Sequence, residues 1–436
     1  MTEVFLFRGA QLEGGEAADL VIADGVIVEA GTGLSRAGAT EIDVDGLVAL
    51  PGLVDLHTHL REPGYEASET ILTGSRAAAA GGYTTVFAMP NTSPVADTAG
   101  VVEQELALGE AAGFVTVQPI GAVTVGQKGE RLAEIGAMAD SRARVRVFSD
   151  DGFCVWDPLI MRRALEYVKA FDGVIAQHAQ DPRLTEGAQM NEGIVSAELG
   201  LTGWPAVAEE SIIARDVLLA EHVGSRLHVC HLSTAGSVEI IRWAKRRGVD
   251  VTAEVTPHHL LLTDELARGY DARFKVNPPL RRHEDVMAVR EGLADGTIDI
   301  VATDHAPHPA ESKSCEWHAA ANGMVGLESA LRVVQQAMVD TGMITWGDVA
   351  RVMSREPARI GRLAGHGAPL TEGQPASLTF YDPSPVRSFS TDDLRGRSVN
   401  SPYLGRDLPG EVRWTLHQGI ATVVDGALLD APGVRA

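Results

Sequence analysis

Apolar and polar residues alternate over short distances at both ends of the chain. The first fifty residues contain the segments EVFLFRGAQLE, ADLVIADGVIVEAG and ATEIDVDGLVAL, and the C-terminal part contains ASLTFYDPS, EVRWTLHQG and IATVVDGALLD. This alternation predicts strands, and the Asp-Gly pairs between apolar runs predict tight hairpins. We expect residues 1–50 and 370–436 to combine into one small β-sandwich domain, with two unrelated terminal appendages as the alternative.

The middle of the chain, residues 51–369, alternates short apolar runs with helical patterns such as ASETILTGSRAAAAGG and PLIMRRALEYVKAF. Repeated strand–helix units predict an α/β fold with a parallel sheet, and eight units in about 250 residues are typical of a (β/α)8 TIM-like barrel. A doubly wound open sheet is the rival, but no glycine-rich phosphate loop follows the first strand. The candidate strands are residues 52–56, 83–89, 114–120, 143–149, 173–177, 226–230, 250–256 and 298–303.

Polar residues with metal-binding chemistry follow five of these strands. His57 and His59 end the first strand, and both would point the same way because side chains at i and i+2 share a face. The carboxyl ends of barrel strands meet at one rim, where histidines and carboxylates suit a divalent metal. A single histidine or aspartate at such a position is more often a buried, hydrogen-bonded side chain or a turn residue. The prediction of a metal site therefore rests on their occurrence after five strands together. The others are Asp151, His178, His231 and Asp304.

Two adjacent acidic residues, Asp150 and Asp151, follow the fourth strand and precede a glycine. Because successive strand residues face opposite ways, only one of them faces inward, and we favour Asp151 as the ligand. Just beyond the first histidine pair, Arg61 suits an anionic ligand because its guanidinium forms a planar fork for a carboxylate. A surface ion pair with Glu62 or Glu66 is the alternative for Arg61.

Charge and cysteine usage narrow the function classes. The net charge of −22 argues against a nucleic-acid or anionic-membrane partner, since phosphate contacts need a basic surface. Three widely spaced cysteines give no disulfide framework, which indicates a reducing cytoplasm. The N-terminal residues do not read as a signal peptide, and no apolar stretch approaches the length of a membrane span.

The run LPGLVDLHTHLREPG, together with MPNT, SDDG, KVNPPLR and TDHAPH, resembles the type I dihydroorotases of the amidohydrolase superfamily. The resemblance covers about residues 1–430. Many other binuclear amidohydrolases, such as hydantoinases and allantoinases, bridge two metals with a carbamylated lysine after strand four. No lysine lies between Lys128 and Lys169 here. The resemblance therefore implies that Asp151 takes the place of the bridging lysine.

The resemblance also implies an activity and roles for named residues. The implied reaction is the zinc-dependent, reversible hydrolysis of (S)-dihydroorotate to N-carbamoyl-L-aspartate in de novo pyrimidine (UMP) biosynthesis. A hydroxide between two zinc ions (or at one) would be the nucleophile, and Asp304 would be the general base and acid. The implied metal ligands are His57, His59, Asp151, His178, His231 and Asp304. The implied substrate-binding residues are His59, Arg61, Asn91, Asn277, His308, Asn322 and Gly323.

Two alternatives and several partners follow from the same resemblance. The chain could be a hydantoinase- or allantoinase-type amidohydrolase, or an inactive dihydroorotase-like scaffold of aspartate transcarbamoylase. We expect a small-molecule substrate, no nucleic-acid or membrane partner, a cytoplasmic location and a homo-oligomer, with association with aspartate transcarbamoylase also compatible. The polar segment 305–324 is a candidate lid over the substrate, with a disordered surface loop as the alternative.

Overall fold

The N-terminal part of the chain forms five strands in the computed structural model, which describes residues 4–432. The first two strands pair antiparallel, and a turn at Asp24 and Gly25, with φ of 53° and 79°, joins the second to the third. Positive φ at both central residues is the geometry of a tight hairpin and confirms the Asp-Gly prediction. The strands are β1 (Phe5–Leu12), β2 (Ala17–Ala23), β3 (Val26–Gly31), β4 (Thr40–Asp43) and β5 (Val48–Pro51).

Eight parallel strands in the middle of the chain close into a barrel. They form a three-stranded and a five-stranded sheet, which parallel bridges join between Gly121 and Phe148 and between Thr58 and His305. The predicted (β/α)8 barrel is confirmed, and the open sheet is wrong because these bridges close the ring. The barrel strands are β6 (Leu53–Thr58), β7 (Tyr83–Ala88), β8 (Thr116–Pro119), β9 (Val147–Phe148), β10 (Val174–Gln177), β13 (Leu227–Val229), β14 (Val251–Val255) and β15 (Ile300–Val301). Two further short strands, β11 (Met190–Asn191) and β12 (Gly203–Trp204), pair with each other outside the barrel.

Helices follow the barrel strands and pack around them. A typical start is Asp157, whose side chain accepts hydrogen bonds from the N–H groups of Leu159 and Ile160, with Pro158 at the first helical position. The helices are α1 (Ile71–Ala80), α2 (Ala99–Ala112), α3 (Ile135–Asp140), α4 (Pro158–Val168), α5 (Ile194–Leu199), α6 (Val207–Val223), α7 (Ala235–Arg246), α8 (Pro257–Leu261), α9 (His283–Ala294), α10 (Ala330–Val334), α11 (Trp346–Ala350) and α12 (Glu356–Ile360), with π-helical turns at Gln335–Val339 and Arg351–Arg355.

The C-terminal strands join the N-terminal ones in a single sheet. Leu378 lies opposite Pro51, so the two ends of the chain meet in an antiparallel pair. The sheet is one continuous nine-stranded sheet, and it shares an apolar core in which the rings of Phe7 and Phe380 stack with centroids 4.6 Å apart. The predicted small β unit built from both termini is confirmed; the exact division at residues 50 and 370 stays a prediction, and its residues 1–3 and 433–436 lie outside the described part. The strands are β16 (Leu378–Ser388), β17 (Asp407–His417), β18 (Ile420–Val424) and β19 (Ala427–Leu428).

Apolar side chains fill the interior of the barrel beneath its carboxyl rim. Leu56, Phe87, Met89, Ile120 and Val147 belong to one buried cluster contributed by neighbouring strands. This layer forms the floor on which the polar residues that follow the strands are placed. Within residues 4–432, no helix is both long and apolar enough to cross a bilayer.

Candidate metal centre and substrate pocket

The end of β6 brings two buried histidines to the carboxyl rim of the barrel. The rings of His57 and His59 have centroids 5.4 Å apart. The backbone N–H of His59 donates to the carbonyl of His305 at 2.8 Å, which ties the end of β6 to the segment after β15. This tie sets Asp304 against the two histidines, although about 250 positions of sequence separate them.

Asp151 lies between two pairs of histidines. Its Oδ2 is 3.4 Å from His57 Nε2 and 3.3 Å from His59 Nε2. Its Oδ1 is 3.1 Å from His178 Nδ1 and 3.3 Å from His231 Nε2. One carboxylate therefore presents a different oxygen to each pair, which is the arrangement of a bridging ligand.

Asp304 completes the first of the two groups. Its Oδ1 lies 3.0 Å from His59 Nε2 and 3.5 Å from His57 Nε2. All six residues predicted as ligands therefore come together at the rim. The first group is His57, His59, Asp151 and Asp304, and the second is Asp151, His178 and His231, with the ligand atoms of each group within 4.8 Å of one another.

Asp150 faces away from this centre. Its carboxylate accepts hydrogen bonds from the backbone N–H groups of Val123 and Thr124, at 2.8 and 3.0 Å, and from the hydroxyl of Thr124. It fastens the segment after β8 to the segment after β9. Of the two adjacent acidic residues, Asp151 is the one that faces the histidines.

Three of the four histidines have an outward acceptor for one ring nitrogen. The acceptors are Glu254 Oε1, 2.6 Å from His57 Nδ1; Asn91 Oδ1, 2.9 Å from His59 Nδ1; and Gln180 Oε1, 2.7 Å from His178 Nε2. If each ring donates N–H to that acceptor, its other nitrogen directs a lone pair at the carboxylates of the centre. Lone pairs facing carboxylate oxygens repel each other unless a cation lies between them.

The buried charges of the centre support the same conclusion. The Nε2 atom of His57 is buried and has no hydrogen-bond partner within the described residues. Burial alone would lower the pKa of His57, but the charges of Asp151 and Glu254 outweigh it and raise that pKa well above its usual range. Burial would raise the pKa of Asp151, but His57 and His178 outweigh it and hold that pKa well below its usual range. The site thus favours a positive charge among its carboxylates, and its imidazole and carboxylate donors fit a divalent transition metal.

A buried chain of polar side chains beneath the centre was not predicted from the sequence. Glu254 of β14 contacts His57 through Oε1 and His228 Nε2 through Oε2, at 2.6 and 3.0 Å, and His228 Nδ1 lies 2.8 Å from the hydroxyl of Thr252. Glu254 thereby orients the ring of His57. The signal in the sequence was a carboxylate at mid-strand in DVTAEVT, where a buried barrel strand is otherwise apolar.

Other histidines near the rim point elsewhere. His305 Nδ1 accepts hydrogen bonds from the backbone N–H groups of Gly326 and Leu327. His259 contacts the hydroxyl of Thr256 and the carbonyl of Pro279. These two residues therefore stabilise the segments around the centre rather than joining it.

A pocket opens directly above the centre and encloses about 620 Å³, including the solvent space at its mouth. All seven residues predicted to bind substrate line it. The lining residues are His59, Arg61, Asn91, Asp151, Gly152, His178, Asn277, Asp304, Ala306, His308, Asn322 and Gly323.

Arg61 and Asn91 supply hydrogen-bond donors to the pocket. Arg61 has a positive φ of 65°, and its Nε donates to the carbonyl of Pro307 at 3.3 Å. The terminal nitrogens of its guanidinium bond to no other residue in the described chain, so they are free for a ligand. Burial lowers the pKa of Arg61 to about 10, which leaves it charged at neutral pH. Asn91 directs its Oδ1 at His59 and keeps its amide nitrogen for the pocket.

The pocket lining also includes Asn277, His308 and the Asn322–Gly323 backbone. Asn277 donates to Gln180 Oε1 at 3.0 Å, and its own Oδ1 is buried without a partner among the described residues. His308 Nε2 lies 2.8 Å from the carbonyl of Asn322, and burial followed by the charge of Arg61 lowers the pKa of His308 to about 3. His308 is therefore neutral at physiological pH.

Comparisons with known proteins identify the family of this chain. The family model described as Dihydro-orotase-like matches residues 46–237. The "Dihydroorotase" of Leifsonia xyli subsp. xyli is 75% identical over 99% of this chain and 98% of its own length, and that of Streptomyces coelicolor is 69% identical over 97% and 99%. The "Dihydroorotase" of Mycobacterium tuberculosis is 53% identical over 97% and 99%.

Solved structures with the same fold are named as hydantoinases. An L-hydantoinase (dihydropyrimidinase) from Arthrobacter aurescens superposes with a TM-score of 0.87 at 25% identity, over 100% of this chain and 99% of that one. A D-hydantoinase superposes with a TM-score of 0.83 at 20% identity, over 99% of each chain, which shows the fold alone. The full-length relatives decide the family. The chain therefore belongs to the dihydroorotase family, enzymes that hydrolyse cyclic amides.

Proposed function

We propose that this chain is a zinc-dependent dihydroorotase, which interconverts (S)-dihydroorotate plus water and N-carbamoyl-L-aspartate in de novo pyrimidine (UMP) biosynthesis. The observation that carries the proposal is the cluster of histidines and carboxylates around Asp151, which lies at the floor of a pocket that is also lined by Arg61. A cyclic amide with an exocyclic carboxylate needs both features. The names of the full-length relatives support the same substrate.

Two zinc ions fit the donors of the centre. We assign the first to His57, His59, Asp151 and Asp304, and the second to Asp151, His178 and His231. Zinc binds imidazole nitrogen and carboxylate oxygen, and the lone pairs directed at Asp151 need a cation. When bound, zinc makes water nucleophilic near neutral pH and polarises an amide carbonyl.

Asp304 is our candidate for the proton-transferring residue. Burial alone would raise its pKa, but the hydrogen bond from His59 and the charge of His57 outweigh it and hold that pKa below its usual range. Asp304 is therefore a carboxylate at neutral pH and can accept the proton of the attacking water. It lines the pocket, so the same oxygen can deliver that proton to the leaving ring nitrogen.

Arg61, Asn91 and His308 form the proposed site for the substrate carboxylate. Arg61 offers two parallel N–H donors, and Asn91 offers its amide nitrogen. The neutral ring of His308 has one N–H, which in the free protein faces the carbonyl of Asn322. We propose that a bound carboxylate competes with Asn322 for this N–H.

Asn277, Asn322 and Gly323 form the proposed site for the edge of the ring amide. The unpartnered Oδ1 of Asn277 is an acceptor for a ring N–H, because a buried acceptor without a partner costs free energy. Gly323 has a φ of 129°, and a Cβ added there would lie 2.7 Å from the Cβ of Ala306. A side chain at this position would therefore disturb the wall.

Ring opening of dihydroorotate tests the proposal. The zinc-loaded protein should hydrolyse it and form it from N-carbamoyl-L-aspartate, and chelation should abolish both activities. Asp304→Asn should lower kcat by at least about 100-fold, the usual contribution of a positioned acid–base group. The exposed Asp140 provides the matched control, and Asp140→Asn should leave kcat unchanged. A fully active Asp304→Asn protein would contradict the assigned role.

A hydantoinase or allantoinase activity is the second candidate, because the superposed structure that is 25% identical is named as an L-hydantoinase. Asp151 in the bridging position and the free Arg61 favour dihydroorotate, and a panel of dihydroorotate, hydantoin and allantoin distinguishes the substrates. An inactive scaffold of aspartate transcarbamoylase is disfavoured, because all six proposed ligand positions carry a histidine or an aspartate and these side chains cluster together. A zinc-free protein by elemental analysis would favour that scaffold.

Assembly and location complete the proposal. We propose a homo-oligomer, and light scattering of the purified protein tests it. Co-elution with purified aspartate transcarbamoylase tests association with that enzyme. The cysteines Cys154, Cys230 and Cys315 are all free thiols, which supports a cytoplasmic location.

A further inference from the structure

Two of the chain's five lysines, Lys275 and Lys313, lie buried beside the substrate pocket, 4% and 8% exposed. Neither ammonium forms an ion pair in the described part of the chain, whereas Lys245 pairs with Asp299 at 2.7 Å. A buried ammonium without a carboxylate is costly unless other acceptors satisfy it. The acceptors of these two lysines therefore indicate what the lysines do.

Each lysine reaches into the backbone of the other's segment. Lys275 Nζ donates to the carbonyls of Trp317 and Ala320, at 2.7 and 2.9 Å, and also contacts His318 O and Gln189 Oε1. Lys313 Nζ donates to the carbonyls of Ala272 and Lys275, at 2.8 and 3.0 Å, and to Ala321 O at 2.7 Å. We call the two lysines with these carbonyl acceptors the lysine clasp.

The clasp joins the two segments that form one wall of the pocket. Asn277 lies two residues beyond Lys275, and Asn322 and Gly323 directly follow Ala321. The carbonyl of Lys275 accepts two hydrogen bonds, one from the ammonium of Lys313 and one, at 3.0 Å, from the backbone N–H of Gly323. The segment 305–324, a candidate lid in the sequence, is thus fastened to the segment that carries Asn277.

We propose that Lys275 and Lys313 are positioning residues that hold the amide-binding wall of the pocket, Asn277 and Asn322–Gly323, at a fixed spacing. The inference rests on the proposed function of that wall. The wall belongs to irregular segments rather than to strands, so its geometry needs cross-links.

Lys313→Met and Lys275→Met test the clasp, because methionine keeps an unbranched, apolar stem and removes the ammonium. We expect KM for dihydroorotate to rise at least about tenfold while kcat changes less than threefold, since the wall contacts ground and transition states alike. Zinc content should stay at the wild-type value, because neither lysine touches the metal centre. Lys169, exposed at the end of α4, donates to Val223 O away from the pocket, so Lys169→Met is the control.

Proteolysis gives a second readout that does not depend on turnover. Glu311 and Glu316 are exposed in the clasped segment, so endoproteinase Glu-C should cut Lys313→Met there faster than wild type. Saturating dihydroorotate should restore protection. If Lys313→Met does not fold, Lys313→Gln, which retains one amide donor, takes its place with the same expected direction.

Unchanged KM and unchanged cleavage in a folded lysine variant would overturn the proposal. An equal loss of zinc and kcat would also overturn it, because it would indicate general destabilisation. If wild-type protein does not turn over dihydroorotate, the proposed function fails on its own. The cleavage rates then still decide the clasp, since equal rates in wild type and Lys313→Met would contradict it.

Discussion

Replacing Arg61 with methionine removes the proposed grip on the substrate carboxylate. The terminal nitrogens of Arg61 face the pocket without a partner in the described chain, and a pKa of about 10 keeps them charged at pH 7. A hydrogen bond to a charged group contributes about 1.5–3 kcal/mol. The two hydrogen bonds that one guanidinium donates to a carboxylate contribute less than twice this amount here, because the site is partly solvated. We therefore expect a loss of about 3 kcal/mol, which is about 100-fold in kcat/KM.

The assay compares two ligands that differ only in the carboxylate. Arg61→Met should lower kcat/KM for dihydroorotate about 100-fold, whereas the inhibition constant of 5,6-dihydrouracil, which has the ring but no carboxylate, should stay within about threefold. Arg61→Lys keeps the charge and loses the fork, so it should fall between. Arg246, exposed at the end of α7, provides the control variant Arg246→Met. An equal loss of affinity for both ligands would refute the reasoning, because it would mean that Arg61 shapes the pocket rather than binding the carboxylate.

Two further substitutions test the surroundings of the centre. Glu254→Gln should weaken zinc binding about 10- to 100-fold in a chelator competition, because Glu254 orients His57. Glu291 is exposed, so the control variant Glu291→Gln should have no effect. Unchanged zinc affinity in Glu254→Gln would contradict this role. Burial raises the pKa of Asp216 to about 6. Between about pH 4 and pH 6 this carboxyl is therefore protonated in the folded protein but ionised in the unfolded chain. The free energy of unfolding consequently falls as the pH rises through that range. Urea unfolding of zinc-free protein should therefore show wild type losing about 2 kcal/mol more than Asp216→Asn from pH 4.5 to 6.5, and parallel profiles would contradict it.

Local pattern was sufficient to predict the barrel and the residues at its rim. Alternation in β6 identified His57 as inward-facing, and the common end of parallel strands grouped it with His178 and His231. Alternation also indicated that only one of Asp150 and Asp151 faces inward, and the bonds of Asp150 to Val123 and Thr124 leave Asp151 as that residue. These inferences need only the repeat of a strand and the rule that one rim collects all carboxyl ends.

Features that depend on contacts across the closed fold were not predicted. Glu254 meets His57 only after the barrel closes, so the segment DVTAEVT shows an unusual mid-strand carboxylate but not its partner. The hydrogen bonds from Lys275 and Lys313 to each other's segments join two loops. The path of a loop cannot be predicted from the spacing of apolar residues. The sequence predicted that the two termini combine, but not that β5 pairs with β16, because this pairing joins strands more than 300 residues apart.

The central claim is that one carboxylate, Asp151, bridges two zinc ions. The most direct test is a crystal structure of the zinc-loaded protein with anomalous scattering measured on both sides of the zinc edge. We expect two peaks about 3.5–4 Å apart, one beside each Asp151 oxygen, with His57 and His59 at the first and His178 and His231 at the second. A single peak, or a peak not in contact with Asp151, would contradict the claim.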